Sequence, residues 1–330
     1  MNYTKRLNNI YLQSTGVVGG HLEYEGPIGN YLDEHFKDCY FGQKTFEDGE
    51  IHAAREAIRI ALDKANLDRD MIKIALGGDL SNQIAISNEV ASSLPISFLG
   101  QYGACASSMM ILGLASILVD YDPSIAVLTF CSSNYATAER QFRYPIDYGL
   151  QKKATTTVTV SGAAASIVSS RPTKIAISAV TFGKVKDASW DDVNDMGSPM
   201  ALAAYDTLMT HLRNMNEKVE DYDLILTGDL SEVGKKILID CLKCDGINLS
   251  NYEDCGNIIY DAKKQNLYCG GSGVACSAIV TYGYVVSKLL SGDLKRVLII
   301  STGALFSPTL SFQKHTIPII AHGVVLEGNL

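Results

Sequence analysis

The sequence predicts an α/β protein of five layers, helix–sheet–helix–sheet–helix, assembled from two copies of one unit. Three observations lead there. Apolar strand-like runs alternate with amphipathic helices along the chain. A long stretch of the first half recurs in the second, in the same order and without gaps. Neither copy alone can bury both faces of its sheet, so the copies must pack helix against helix around a shared layer.

The first helix lies in residues 50–66, EIHAAREAIRIALDKAN, where Ala53, Ala57, Ile60 and Ala61 share one face. IKIALGG at 72–78 is an apolar strand ended by glycines. ACASSMMILGLASILV at 104–119 reads as a helix buried on most sides, and IAVLTFC at 125–131 as a buried strand. TTTVTV at 155–160 and AAASIVSS at 163–170, joined by Ser161-Gly162, read as strands of the first sheet. The acidic loop 187–195 is expected as an exposed lip.

The second copy opens with the helix MALAAYDTLMTHL at 200–212 and continues into LILTGDLS at 224–231. This matches IALGGDLS at 74–81 after the first helix. GQYGACASSMMILGLASILVDYDPSIAVLTFCS at 100–132 then aligns with GSGVACSAIVTYGYVVSKLLSGDLKRVLIISTG at 271–303, pairing Cys105 with Cys276. The halves are drawn at 1–180 and 181–330, with helices 104–119 and 274–290 in the shared layer.

Composition narrows the function. The chain has 330 residues, 47% of them hydrophobic, enough for one large domain or two fused ones. Twenty-eight Lys+Arg stand against 36 Asp+Glu, a formal charge of -8. That balance excludes a generally basic protein that tracks nucleic-acid phosphates, and it leaves room for a small anion pocket. The N-terminal residues lack the apolar stretch of a secretory signal. The apolar runs Met109–Val119 and Thr316–Leu326 fall short of the roughly 20 residues a spanning helix needs. An intracellular protein is expected, with any membrane association peripheral or through partners.

Eight cysteines in so long a chain suit a reducing compartment better than a disulfide framework. Cys241-x-x-Cys244 followed by Cys255 and Cys269 invites a zinc reading, but the second close pair is missing. Buried or incidental thiols are the preferred reading, and no metal site is assigned.

Cys105 is the sharpest chemical candidate. It follows Gly103-Ala104 at the head of a long apolar helix, where unpaired backbone N–H groups favour a thiolate or cradle a carboxylate. A catalytic thiol also needs a base. Of six histidines, only His322, in IIAHGVVLE, sits in an apolar strand where a structured role is easy to argue. Asp79 and Asp229 occupy equivalent places in the two GDLS turns, where a cap is at least as good a reading as a ligand contact.

YGACAS at 102–107 resembles the nucleophile elbow of thiolase-like condensing enzymes, and the resemblance extends over nearly the whole chain. It implies a thiolase-like αβαβα sandwich whose cysteine is acylated with help from His and His, or His and Asn, of the second half. One of those belongs after strand 223–227, where this chain has Gly228 and Asp229. The other belongs in the loop CGGSGVACS, where Gly270 or Gly271 stands. With glycines leaving space above Cys105 and no donor opposite the thiol, no residue is assigned a catalytic role.

A narrower set of strings resembles the stage V sporulation family of thiolase-like proteins, the dipicolinic-acid-binding component of the endospore uptake apparatus. They are GGDLSNQ at 77–83, PISFLGQYGACAS at 95–107, TAERQFRYPIDYG at 137–149, GKVKDASWDDVNDMGSPMALAA at 183–204, TGDLSEVG at 227–234 and KHTIPIIAHGVVLE at 314–327. The resemblance implies non-catalytic binding of dipicolinic acid for uptake into the developing spore. Calcium is expected only as part of the bound complex. It also implies integral membrane sporulation proteins as partners, a place at the membrane of the developing spore, and a homodimer paired along an edge strand, for which 125–131 is the candidate.

For such a planar dianion, the amides of Cys105, Ala106 and Ser107, with the Ser107 or Ser108 hydroxyl, are expected to hold one carboxylate. Arg143 is expected to grip the other, with Lys184 and Lys186 as alternatives. Gly228, Asp229 and Gly271 complete the primary ligand set. Tyr102, Asn134, Lys184, Asp187, Asp195 and His322 stand in second rank, the aspartates as oxygen donors should calcium accompany the ligand. Two alternatives remain open: an acyl-transferase using Cys105 with His322 or His315 as base, and a ligand-free scaffold for membrane proteins.

Overall fold

The computed structural model describes residues 2–142 and 152–328. The first half runs β1 (Tyr11–Gly19), α1 (Phe46–Lys64), β2 (Ile72–Gly78), α2 (Ala85–Ala91), β3 (Ser97–Gly100), α3 (Ser107–Tyr121), β4 (Ala126–Ser133), α4 (Tyr135–Phe142) and β5 (Gly162–Ser169). The second runs β6 (Ile175–Phe182), α5 (Gly197–Met215), β7 (Leu224–Thr227), α6 (Ser231–Cys244) and β8 (Tyr252–Asp254). It closes with α7 (Val274–Ser291), β9 (Arg296–Ala304), α8 (Pro308–Phe312) and β10 (Pro318–Gly328).

Duplication is written in the strand order. The first sheet is β3-β2-β4-β5-β1 and the second β8-β7-β9-β10-β6. In each, the first three strands are parallel and the last two join antiparallel. The sheets meet at one bridge, Tyr11 with Ala176.

Five layers follow. Alternate residues of β4 face opposite ways: Ala126, Leu128 and Phe130 pack under α1 and α2, while Val127 and Cys131 face the central layer. In β9, Leu298 and Ile300 pack under α5 and α6 while Val297 and Ile299 face the same central layer. That layer is α3 and α7, joined by a 2.6 Å hydrogen bond between the Ser108 and Ser277 hydroxyls. These two helices are long and apolar enough to cross a membrane, yet most of each is buried between the sheets.

Local chemistry fits this plan. Thr45 caps α1 by accepting the Asp48 N–H at 3.1 Å, with Glu47 and Asp48 at the positive end of the dipole. Gly16 lets α1 press on β1; a Cβ there would lie 2.1 Å from the Ala57 carbonyl oxygen. α7 contains a π-helical turn at Val280–Val285, and the Thr15 hydroxyl donates to the Tyr282 carbonyl at 3.0 Å.

Three expectations change. The division at 180/181 falls inside β6, because hydrogen bonding to β10 from Ile175 onward places that strand in the second sheet. TTTVTV does not join the first sheet. Val158–Thr159 instead pair with Gly271–Ser272 of the other half, through Val158 N–H to Gly270 O and Val160 N–H to Ser272 O. Strand 125–131 is no edge either, since β4 is bonded on both sides, by β2 and by β5. Among the described residues the edge strand of the first sheet is β3, where the Leu99 side chain is exposed.

Leu112 is fully buried at the middle of α3. Leu112→Ala is expected to lower the unfolding free energy by about 2–5 kcal/mol in a denaturant titration. A loss well under 1 kcal/mol would contradict a tightly packed central layer.

Candidate functional site

Residues 103–107 form a tight elbow ahead of α3. Ala104 has φ +50°, a left-handed conformation that costs a non-glycine residue about 1–2 kcal/mol. The turn is held by Ala106 N–H to Gly103 O at 3.1 Å and Ser107 N–H to Ala104 O at 3.2 Å. The Ser107 hydroxyl donates to Ala104 O at 2.7 Å and accepts the Gly103 N–H at 2.9 Å. From β9, the Ser301 hydroxyl donates to Ala106 O at 2.8 Å. Gly303 backs the elbow so closely that a Cβ there would sit 2.4 Å from Gly103 O.

The elbow presents Cys105, half-buried, to a cleft between the two halves. Leu80, Tyr102, Ala138 and Phe142 line it from the first half, and Met196, Met200, Asp229, Ser272, Gly273, Ala304 and Phe306 from the second. Thr157 and Thr159 close it from the connecting segment. The inner volume is about 50 Å3.

Opposite the thiol stands a carboxyl. Asp229 is hydrogen-bonded to the Cys105 side chain, accepts the Thr302 hydroxyl at 2.8 Å and accepts the Gly273 N–H at 3.0 Å. Burial pushes this carboxyl up to about 7, against the pull of those three hydrogen bonds. A negative charge on Asp229 repels one on the sulfur. Protonated, it offers one donor, where condensing chemistry needs a set aimed at a developing enolate.

No histidine fills that role. His322 Nδ1 accepts the Gly183 N–H at 3.3 Å, its Nε2 is buried without a hydrogen-bond partner, and its ring lies against Phe182. Burial holds it down to about 4. It lies outside the cleft lining. His211 is spent between Thr181 Oγ1 and the Tyr222 hydroxyl, at 2.7 and 2.8 Å. His315 is exposed on the connection into β10.

Of the predicted ligand residues, Cys105, Asp229 and Tyr102 meet in the cleft. The expected amide cradle is not available as drawn. The helix begins at Ser107, so Cys105 precedes it, and the Ala106 and Ser107 N–H groups and the Ser107 hydroxyl are consumed within the elbow. The Ser108 hydroxyl is bonded to Ser277. Gly228 and Gly271 open no space above the thiol. A Cβ at Gly228 would meet the Ser301 and Thr302 backbone at 3.0 Å, and one at Gly271 would meet Ile259 at 2.7 Å.

The remaining second-rank residues serve the fold. Asn134 caps α4, accepting the Ala136 N–H at 2.9 Å and donating to Cys39 O at 2.8 Å. Asp195 caps α5 through the Ser198 N–H and hydroxyl, at 3.1 and 2.7 Å. Asp187 accepts the Ser189 N–H at 2.8 Å. The Lys184 N–H bonds Asn2 Oδ1 at 3.1 Å and Lys186 pairs with Asp206 at 3.2 Å; neither lysine lines the cleft. Arg143 lies outside the described residues. Cys241 and Cys244 sit on α6, and among the described residues no group of three or more His, Cys, Asp or Glu is placed to hold a metal ion.

The two GDLS turns have diverged. Asp79 accepts the N–H groups of Ser81 and Ser87, each at 2.7 Å, and so caps its own loop. In the second half Asp254 does this work, taking the Leu230 and Ser231 N–H groups at 2.9 and 2.8 Å. Asp229 is thereby left to face Cys105. Cys276, the repeat partner of Cys105, is fully buried, its sulfur 3.5 Å from Gly228 O. Phe142, Phe306, Thr157, Thr159 and Gly273 escaped the sequence reading. Phe306 carried a usable signal, since ligands in open α/β sheets gather beyond the carboxyl ends of parallel strands and it lies just past β9.

Duplicated sheets, a shared helix layer and a strained cysteine elbow at the seam define a thiolase-like protein. Solved structures share this fold. 3-Oxoacyl-[acyl-carrier-protein] synthase III of Aquifex aeolicus is 12% identical with a TM-score of 0.60, covering 96% of this chain and 99% of that one. Cerulenin-bound OleA of Xanthomonas campestris is 15% identical with a TM-score of 0.63, covering 97% and 98%. The priming β-ketosynthase of the R1128 polyketide pathway is 16% identical at 0.57, covering 98% of each.

The family described as stage V sporulation protein AD matches residues 2–327, and the chain belongs to it. Stage V sporulation protein AD of Bacillus subtilis is 47% identical over 319 residues, spanning 96% of this chain and 94% of that protein.

Gly303→Ala tests the elbow. Its methyl group overlaps Gly103 O, and a loss of about 1–3 kcal/mol is expected in denaturant unfolding. Unchanged stability would mean that β9 does not brace the turn as described.

Proposed function

We propose that this protein binds dipicolinic acid, free or as its calcium chelate, without transforming it, and serves its uptake into the developing endospore. The observation that carries this reading is the cleft chemistry: a thiol faces a buried carboxyl, Asp229, where condensing chemistry requires an imidazole. Membership in the stage V sporulation protein AD family supports the biological setting.

A neutral Asp229 donates a hydrogen bond to one ligand carboxylate, and the hydroxyls of Tyr102, Thr157, Thr159 and Ser272 supply further donors around the cleft. Apolar side chains from Leu80, Met196 and Met200 pack the ring. Among the described lining residues Asp229 is the only ionisable carboxyl and none is cationic. The chelate, whose metal offsets the two ligand charges, therefore suits this cleft better than the free dianion. Calcium enters only in that form.

β3 offers the edge for a homodimer, since among the described residues no strand pairs with its outer side and a two-fold pairing would extend the first sheet. Integral membrane proteins of the uptake apparatus are the proposed partners, holding this chain peripherally at the membrane of the developing spore.

Calorimetric titration with dipicolinate, with and without calcium, should give saturable binding in at least one condition. Its absence in both sinks the reading. The sign of the pH effect follows from Asp229. Below about 7 the carboxyl is protonated and donates; above that it is an anion that repels the free ligand. Affinity for calcium-free dipicolinate should fall by up to about tenfold per pH unit above 7, and Asp229→Asn should flatten the profile. An equally steep profile in that variant would remove Asp229 from the site. Incubation with acyl-CoA should leave the intact mass unchanged; a stoichiometric adduct lost in Cys105→Ala would restore the acyl-transferase alternative.

A further inference from the structure

Outside the cleft lies a vestibule of about 790 Å3, lined by Ser81–Ile84 on one side and Ser307–Thr309 on the other. It shares three side chains with the inner cleft: Tyr102, Phe142 and Phe306. Those side chains form a partition between the vestibule and the inner cleft, in which Cys105 keeps partial exposure. Small-molecule sites usually measure roughly 300–1,000 Å3. The vestibule falls in that range, whereas the inner cleft, about 50 Å3, is too small for a ring-sized guest until its partition moves.

The partition is an aromatic contact between the halves. Phe142 ends α4 and Phe306 follows β9; their ring centroids are 6.0 Å apart with the planes at 61°. The backbones beneath are pinned. Leu305 N–H donates to Pro318 O at 2.7 Å and Phe306 N–H to Ala304 O at 2.8 Å. Beside Phe142, the Gln141 side chain donates to Leu80 O at 2.9 Å and accepts the Asn82 N–H at 3.0 Å. Rotation about their side-chain bonds is enough to part the two rings.

We infer that Phe142 and Phe306 form an aromatic gate that must part to admit ligand and that sets specificity for flat rings. This rests on the binding reading above and adds the residues that select the guest. A flat aromatic diacid can slide between two rings and keep stacking contact while it passes. A puckered ring with the same carboxylates cannot, and it loses that contact on the way in.

The test is stopped-flow association of the full chain with dipicolinate and with its saturated analogue, cis-piperidine-2,6-dicarboxylate. Wild-type protein should prefer dipicolinate. Phe306→Ala should speed dipicolinate association and shrink the preference, by about 2–10-fold, the worth of one aromatic contact. Phe306→Tyr, which keeps a ring, should restore both. Phe142→Ala gives an independent reading should Phe306→Ala fail to fold. Wild-type rates and preference in a folded Phe306→Ala or Phe142→Ala protein would overturn the gate while leaving the binding reading intact. Failure of wild-type protein to bind dipicolinate both with and without calcium would overturn both.

Discussion

Each sheet of this protein has one face that its own half cannot cover, and the stacking of α3 on α7 between the sheets answers that constraint. Everything else in the molecule is arranged around that shared layer. Hydrophobic burial supplies the force, through fully buried Met109, Ile111 and Leu112 on one helix and Val274, Ile279 and Val280 on the other. The Ser108–Ser277 hydrogen bond fixes where along their length the two helices touch. The π-helical turn in α7 is absorbed rather than wasted, because Thr15 reaches across to its carbonyl.

The site is a consequence of this seam. An elbow at the head of α3 necessarily opens toward the second half, so Cys105 from one copy meets Asp229 from the other. The strain in Ala104 persists because hydrogen bonds and the close backbone of β9 surround it on several sides. Duplication created two such positions, and packing kept one. Cys276 is sealed in the core, and Asp79 is tied to the amides of its own loop.

A carboxyl in place of an imidazole changes what the cleft can do. An imidazole can donate to an oxyanion or take a proton from a thiol, and it carries no negative charge while doing so. A buried carboxyl near neutrality alternates between a single donor and an anion that repels a thiolate. In the proposed function such a group serves recognition of a guest by its protonation or metal state rather than acyl transfer. The gate proposed at the Phe142–Phe306 contact would add a selection by shape in front of that selection by charge.

The repeated GDLS turns, the Gly-Ala-Cys elbow and the alternation of apolar runs determined the duplicated five-layer fold and the position of Cys105 from sequence alone. They could do so because periodicity and turn chemistry are local. Which hydrogen-bond donors remained for a ligand was a tertiary matter. The Ala106 and Ser107 amides look free in a helix-start pattern, yet the Gly103 and Ala104 carbonyls use them up. Only the packed structure separated Asp229 from Asp79, since their identical local strings are distinguished by Asp254, brought in from 25 residues away in the chain by β8. The cleft walls were decided the same way. Phe142 and Phe306 meet because two sheets converge, a contact that no spacing along the chain encodes.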